Sequence, residues 1–283
     1  MSVKLVIESS SDIESVEAEK LGVTMLSVPI SFGEEDFLDG RNISSKEFYE
    51  KLVKYSTLPK TSQINAFRFE EAFEAHVKNG DEVVAIVLSS QLSASCNSAK
   101  QAAEKFKDKV FVVDSLSATA GIKVLIEYAL RLIEEGKSGK EIYEILEDKK
   151  KKVHICAMVD TLKYLKKGGR VSPFVAFAGE LMGIKPMIAV IEGKVEVIGK
   201  GIGLKKAINY INAEVKKAGG IDFDMPFYVI YSGNDRSKID NYVNDNTQMW
   251  ECDIENVRKH CIGATIGTHV GPGAIGIVFF SKN

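Results

Sequence analysis

The side chains best placed to do chemistry in this chain are hydroxyls. Within residues 82–106 an apolar run, Val83-Val84-Ala85-Ile86-Val87-Leu88, breaks into Ser89-Ser90-Gln91-Leu92-Ser93-Ala94-Ser95 and then into a helical pattern. In open parallel sheets, ligands sit beyond the carboxyl ends of the strands, where the next helix begins. Free backbone N–H groups and the positive end of the helix dipole favour an anion there. Serine hydroxyls add rotatable donors that carry no charge of their own. The spacing therefore suits a small acidic head group. The plainer reading is that Ser93 or Ser95 only caps the helix, the usual work of a serine in that position.

Two further groups could act at such a site. His269 lies in the glycine-rich stretch 262–273, which reads as a loop, and Arg170 follows Gly168-Gly169. A lone histidine is more often structural than catalytic. Arg170 either complements the C-terminal end of the preceding helix or offers a planar fork to phosphate or acyl-phosphate oxygens. Residues 271–276 spell G-x-G-x-x-G but precede a strand instead of a helix, so they fail the dinucleotide test. No G-x-x-x-x-G-K-[ST] is present, and Lys149 to Lys152 read as a solvated helix end. An acyl hydrolase with Ser93 as nucleophile and His269 as base is conceivable, although the chain has no G-x-S-x-G elbow and no evident third triad member.

Composition narrows the field. At 283 residues, 45% hydrophobic and 27% charged, the chain has the makeup of a soluble globular protein long enough for two cores. A net charge of −2 argues against a general nucleic-acid binder. Cys96, Cys156, Cys252 and Cys261 show no C-x-x-C spacing, so neither zinc nor redox motifs are supported, and lone thiols fit a reducing compartment. No cofactor motif is evident. The N-terminus has no signal-peptide core and no apolar run could span a bilayer, which makes a cytoplasmic location the expectation.

The elements that must position these residues alternate at first. Strands are expected at residues 3–7, 25–30, 83–88, 110–113 and 154–158. Helices are expected after capping boxes at Ser11-Asp12-Ile13-Glu14, Ser44-Ser45-Lys46-Glu47 and Ser138 to Glu141, and over residues 117–136. Such alternation means βαβ units and a parallel sheet. From Asp160 the pattern changes to short helices and hairpins, including a turn at Glu192-Gly193 and a helix at residues 204–218. A helix opened by Ser172-Pro173 is apolar on nearly every side, so it is either a central core element or the lining of a tunnel. The fold class expected is α/β, with an N-terminal three-layer α/β/α domain on a parallel sheet (1–158) and a second α+β domain with a mixed sheet (159–283).

Six blocks of sequence then resemble a known family. They are Ser9-Ser10-Ser11-Asp12-Ile13, Thr61-Ser62-Gln63, Ser89-Ser90-Gln91-Leu92-Ser93, the run from Val159 through Arg170, Ile184-Lys185-Pro186, and the run from Ile262 through Gly273. In this order, over nearly the full length, they resemble the DegV family of bacterial fatty-acid-binding proteins. The resemblance implies that a long-chain fatty acid is held by its carboxylate at Thr61, Ser62, Ser93 and the neighbouring backbone at Ala94. The tail would run into a tunnel between two domains, lined by Phe174, Phe177, Ala178 and Leu181. It further implies a lipid-presenting accessory subunit, not itself an enzyme, whose partner is an ATP-binding fatty acid kinase subunit, with transient membrane contact for lipid exchange. On that analogy Arg170 and His269 lie at the mouth. The chain departs from the family pattern at Glu8 (usually Asp), Ala94 (usually Gly), Cys96 (often aromatic) and Gly201 (near a position often basic). A carrier or sensor of another small anion is the remaining alternative.

Simple energetics agree with a tail-driven binder. Burial is worth about 0.8 kcal/mol per methylene, so about fourteen methylenes contribute on the order of 11 kcal/mol before association costs. Hydroxyl bonds to a carboxylate add roughly 1.5–3 kcal/mol each. The tail sets affinity and the hydroxyls set direction.

Overall fold

The computed structural model describes residues 2–55, 57–171 and 183–282. The apolar runs of the first half build a four-stranded parallel sheet. In it β1 (Val3–Glu8) pairs with β2 (Thr24–Leu26) on one side and β6 (Glu82–Val87) on the other, and β6 pairs with β7 (Val110–Asp114). The single strand expected at residues 25–30 is divided. Thr24–Leu26 stays in the parallel sheet, the Val28 N–H turns to the Ser9 hydroxyl, and Pro29, which has no N–H for a ladder, opens β3 (Pro29–Phe32). β3 pairs antiparallel with β4 (Glu35–Leu38) and β5 (Lys60–Thr61) in a small separate sheet.

The second large sheet is mixed and six-stranded. Its order is β10 (Lys194–Ile202), β9 (Ile184–Ile191), β8 (Val153–Met158), β13 (Ile275–Phe280), β11 (Tyr228–Tyr231) and β12 (Lys259–Cys261). All neighbours are antiparallel except β11 and β12. Glu192 and Gly193 connect β9 to β10 with φ of 48° and 81°, the left-handed pair that matches a tight turn to strand twist.

Helices cover both sheets. On one face of the parallel sheet, α3 (Ala66–Val77) and α4 (Ser95–Ala103) pack Phe69, Phe73, Cys96 and Ala99 against Val6, Val83 and Ala85. On the other, α5 (Ala120–Glu134) is buried along most of its length, and Ile122, Leu125 and Ile126 join one core with Leu5, Ile7 and Ile86 of the first sheet and with Ile230, Val278 and Phe280 of the second. α6 (Gly139–Lys149) adds Ile142 and Leu146 to that core. The far face of the mixed sheet is covered by α8 (Gly203–Lys217) and α9 (Ser237–Asp245) through Ala207, Ile211 and Tyr242.

Two capping boxes form as their spacing dictates, at the start of α2 (Ser45–Lys54) and of α6. Each closes a reciprocal pair, such as Glu47 N–H to Ser44 Oγ at 3.3 Å and Ser44 N–H to Glu47 Oε2 at 2.9 Å. The box at Ser11 to Glu14 does not form. α1 (Ser15–Leu21) begins at Ser15 without a side-chain cap, while Asp12 takes a left-handed backbone (φ 60°) and accepts a hydrogen bond from Thr119 Oγ1. The helix expected from residue 117 starts at Ala120, after a Thr119 with φ of 50°. Residues 262–273, expected as a loop, contain α10 (Ala264–Val270). Lys150 is no solvated helix end: its Nζ is buried against the Asp114 carbonyl at 2.9 Å and Glu147 at 2.6 Å.

Candidate functional site

The candidate site forms where the parallel sheet, the small sheet and α10 meet. Thr61 is the last residue of β5, Ser93 and Ala94 lie in the turn between β6 and α4, and Arg170 follows α7 (Lys163–Lys167). His269 occupies the last turn of α10. Thr61, Ser62, Ser93, Ala94, Arg170 and His269 all line one cavity of about 210 Å³. Its other walls, among the described residues, are largely apolar: Val28, Leu88, Leu92, Ala118, Leu165, Val195, Ile266 and Val270, with Gln63 and Thr265 the remaining polar members. Phe174, Phe177, Ala178 and Leu181 lie outside the described residues.

The serines divide the work. Ser89 Oγ donates to the Gly193 carbonyl at 2.7 Å and so straps the β9–β10 turn to the first sheet's loop, which brings Val195 into the cavity wall. Ser95 Oγ accepts the Ile64 N–H at 3.0 Å. Ser93 Oγ accepts the Ser95 N–H at 3.2 Å and lines the cavity. α4 is entered at Ala94, whose right-handed backbone (φ −78°) tolerates a Cβ without strain, so Ala in place of Gly costs the turn nothing. At Gly201 a Cβ would lie 2.6 Å from the Ala207 N, which leaves no room there for a basic side chain.

His269 is neutral by construction. Burial, aided by the Arg170 guanidinium, pushes its ring down to about 4. Its Nε2 is 2.9 Å from Thr61 Oγ1, and its buried Nδ1 has no hydrogen-bond partner among the described residues. A proton on Nε2 leaves only a lone pair unsatisfied, which is cheaper than an orphaned N–H. Thr61 then accepts from the ring and keeps its own hydrogen for a ligand. Gly168 makes this packing possible, since a Cβ there would lie 2.2 Å from Nδ1. Arg170 is fixed by Nε to the Leu92 carbonyl (3.1 Å) and one terminal nitrogen to the Gly168 carbonyl (2.6 Å).

A second cavity of about 300 Å³ abuts the first and shares Thr61, Arg170 and His269 with it. Lys60, Lys167 and Arg170 give it a cationic lining, and no carboxylate stands among its described lining residues. Sequence reasoning missed Thr265, whose N–H and hydroxyl both go to the buried Asp39 carboxylate. Their separation of 226 residues hides that pair from any local pattern. The hydrolase arrangement is not assembled: the ring of His269 engages Thr61, and Ser93 engages Ser95. The glycines of residues 271–276 serve packing. A Cβ at Gly271 would meet the Tyr164 ring at 2.2 Å, and one at Gly276 the Cys156 carbonyl at 2.5 Å.

Hydroxyl donors and one guanidinium on a largely apolar cavity fit an acid with a greasy tail. A family model described as an uncharacterised protein of the DegV family matches residues 2–282. The chain belongs to the DegV family. A DegV domain-containing protein of Caldanaerobacter subterraneus subsp. tengcongensis is 32% identical over 284 residues, covering 99% of each chain. Another from Deinococcus radiodurans is 30% identical over 282 residues, covering 98% of each. Among solved structures, a DegV family protein from Thermus thermophilus described for its fatty acid binding superposes with a TM-score of 0.87 at 28% identity, covering 99% of this chain and 100% of that one. A stearic-acid-binding protein from Eubacterium ventriosum gives 0.83 at 27% identity, covering 100% and 99%. The α/β architecture, with one parallel and one mixed sheet, is thus the DegV fold. Among the described residues no helix is long and apolar enough to cross a membrane.

Proposed function

We propose that this chain binds a long-chain fatty acid, holds the carboxylate between Thr61 and Ser93, and presents it to a separate ATP-dependent kinase for conversion to the acyl phosphate. The observation that carries the reading is the join between the two cavities. The inner one is largely apolar beside Thr61 and Ser93, the outer one adds Lys60 and Lys167, and Arg170 stands with Thr61 and His269 where the two meet, its Nε and one terminal nitrogen held by backbone carbonyls. A carboxylate held by neutral hydroxyls keeps its nucleophilic oxygens, whereas a direct salt bridge would draw off their charge. Cations on the outer side suit an approaching phosphoryl donor. A DegV family structure described for its fatty acid binding and a similar one described as stearic-acid-binding support the first half of the proposal. The kinase step rests on the chemistry of the rim.

Native mass spectrometry of gently purified protein tests the binding. Masses increased by a C16 or C18 fatty acid are expected, and only the bare chain mass would count heavily against the reading. Incubation of the loaded protein with ATP and a fatty acid kinase subunit tests the presentation. Acyl phosphate should appear, and Lys60→Ala, which alters only the outer cavity, should reduce its yield while lipid stays bound.

A further inference from the structure

α10 supplies one side of the cavity, yet its own sequence does little to make it a helix. It has seven residues, and Thr265, Ile266, Gly267, Thr268 and Val270 among them are poor helix formers. A helix of that length does not persist alone in water. Its N-cap, Gly263, contributes no side-chain hydrogen bond. The cap comes from far away instead. Asp39, buried in the loop after β4, accepts the Thr265 N–H at 3.2 Å and the Thr265 hydroxyl, both on Oδ2. This is the bond that an N-cap side chain would make, and a carboxylate also suits the positive end of the helix dipole. Asp39 is itself held, its N–H donating to the Val28 carbonyl at 3.0 Å. The Tyr49 hydroxyl donates to the Ile262 carbonyl at 3.0 Å, just before α10, and a Cβ at Gly267 would lie 2.7 Å from that hydroxyl. Tertiary contacts therefore assemble this helix, and Asp39 makes the polar one at its first turn.

We propose that Asp39 is a positioning residue for the head-group cradle: by capping α10 from outside the helix it fixes the rotation that brings His269 to Thr61, and so sets how firmly the acid end of the ligand is held. The inference rests on the fatty-acid reading above. Thr265 and His269 are four residues apart on one face of α10, about 6 Å along its axis, and both line the inner cavity. Anchoring the first therefore orients the second. His269 Nε2 stands 2.9 Å from Thr61 Oγ1, and such a bond weakens steeply once its distance or angle is lost. Without the hold of Asp39, α10 is free to turn or fray at its first turn, the ring leaves Thr61, and the Thr61 hydroxyl is no longer directed at the ligand. Much of the apolar wall stands on other elements, Leu88, Leu92, Ala118, Leu165 and Val195 among it. A loosened α10 thus costs the acid end more than the tail.

Delipidated full-length protein is titrated at one pH with a long-chain fatty acid and with the alcohol of the same tail. Asp39→Ala should bind the acid about tenfold more weakly, the worth of one hydrogen bond to a charged group, with the affinity for the alcohol little changed. Asp39→Asn, whose amide oxygen still accepts the Thr265 N–H, should regain most of the loss. Nitrogen-15 NMR of the histidine rings at pH 5.5 supplies a second readout, with the His269 signal assigned by its absence from His269→Gln. Burial holds that ring down at about 4, so it is neutral in the wild type, whereas a ring released toward solvent returns toward 6.5 and is protonated in Asp39→Ala. Leu146→Ala, which opens the core at α6 away from the cavity, is the control for lost stability alone and should leave both readouts as in the wild type. If Asp39→Ala does not fold, Thr265→Val, which deletes the hydroxyl of the pair and keeps its shape, decides by the same two readouts. Wild-type affinity for the acid, equal losses for acid and alcohol, or a loss that leaves the His269 ring neutral each overturn the positioning role and leave the fatty-acid reading standing. No binding of either ligand by the wild type overturns both.

Discussion

At the scale of single residues, burial moves three groups near the cradle toward their neutral forms. The consequences can be read from stability as well as from binding. Glu8 and Asp39 are each raised to about 7 in the fold, from ordinary values of 4.5 and 3.8. The unfolded chain releases these protons first, so the fold loses stability as pH climbs from about 4 to about 7 and levels off above. Shifts of this size correspond to about 3 kcal/mol for Glu8 and about 4 kcal/mol for Asp39. Glu8→Gln should therefore raise the urea midpoint relative to wild type at pH 8 and not at pH 4. His269 has the opposite sign. The unfolded ring takes its proton below 6.5 and the folded ring only near 4, so stability should decline as pH falls through that window, and His269→Gln should flatten the decline. Gly168→Ala tests the packing of the same ring. Its Cβ would displace His269 from Thr61, and we expect fatty-acid affinity to fall by about tenfold with a smaller change in thermal midpoint.

At the scale of elements, what was legible was local. The capping boxes of α2 and α6 and the Glu192-Gly193 turn are decided within four residues, and all three form. The box at Ser11 to Glu14 had the right letters and failed because Asp12 is claimed by Thr119, which is 107 residues away. α10 was hidden by its glycines and by its length of seven residues, too short to display a helical period. What holds it is Asp39 at Thr265, a partner no window could contain. The site residues followed the same division. Thr61, Ser93, Arg170 and His269 stood out by type and block order, whereas Thr265 and Val195 reach the cavity only through long-range packing. The β9–β10 turn offers an element-level test. Ser89→Ala would leave the Gly193 carbonyl without its 2.7 Å donor, costing about 1–3 kcal/mol in chemical denaturation and loosening the wall at Val195.

At the scale of the whole molecule, α5 makes the two large sheets one folding unit. Its side chains share a single core with strands of both, so neither sheet can shed the helix without exposing the other's interior. Leu125→Ala should cost about 2–5 kcal/mol. The transition should remain single, with far-UV circular dichroism coinciding with fluorescence of Trp250, the sole tryptophan, which sits in the core beneath the mixed sheet.

Thr61, Arg170 and His269 form a party wall with a room on either side. A change in that partition is felt in both rooms at once, so retention of a guest and its handover cannot be told apart by altering those three. Leu165 borders only the inner room and Lys60 only the outer. A pair of variants at these two positions would assign each behaviour to its own side of the partition.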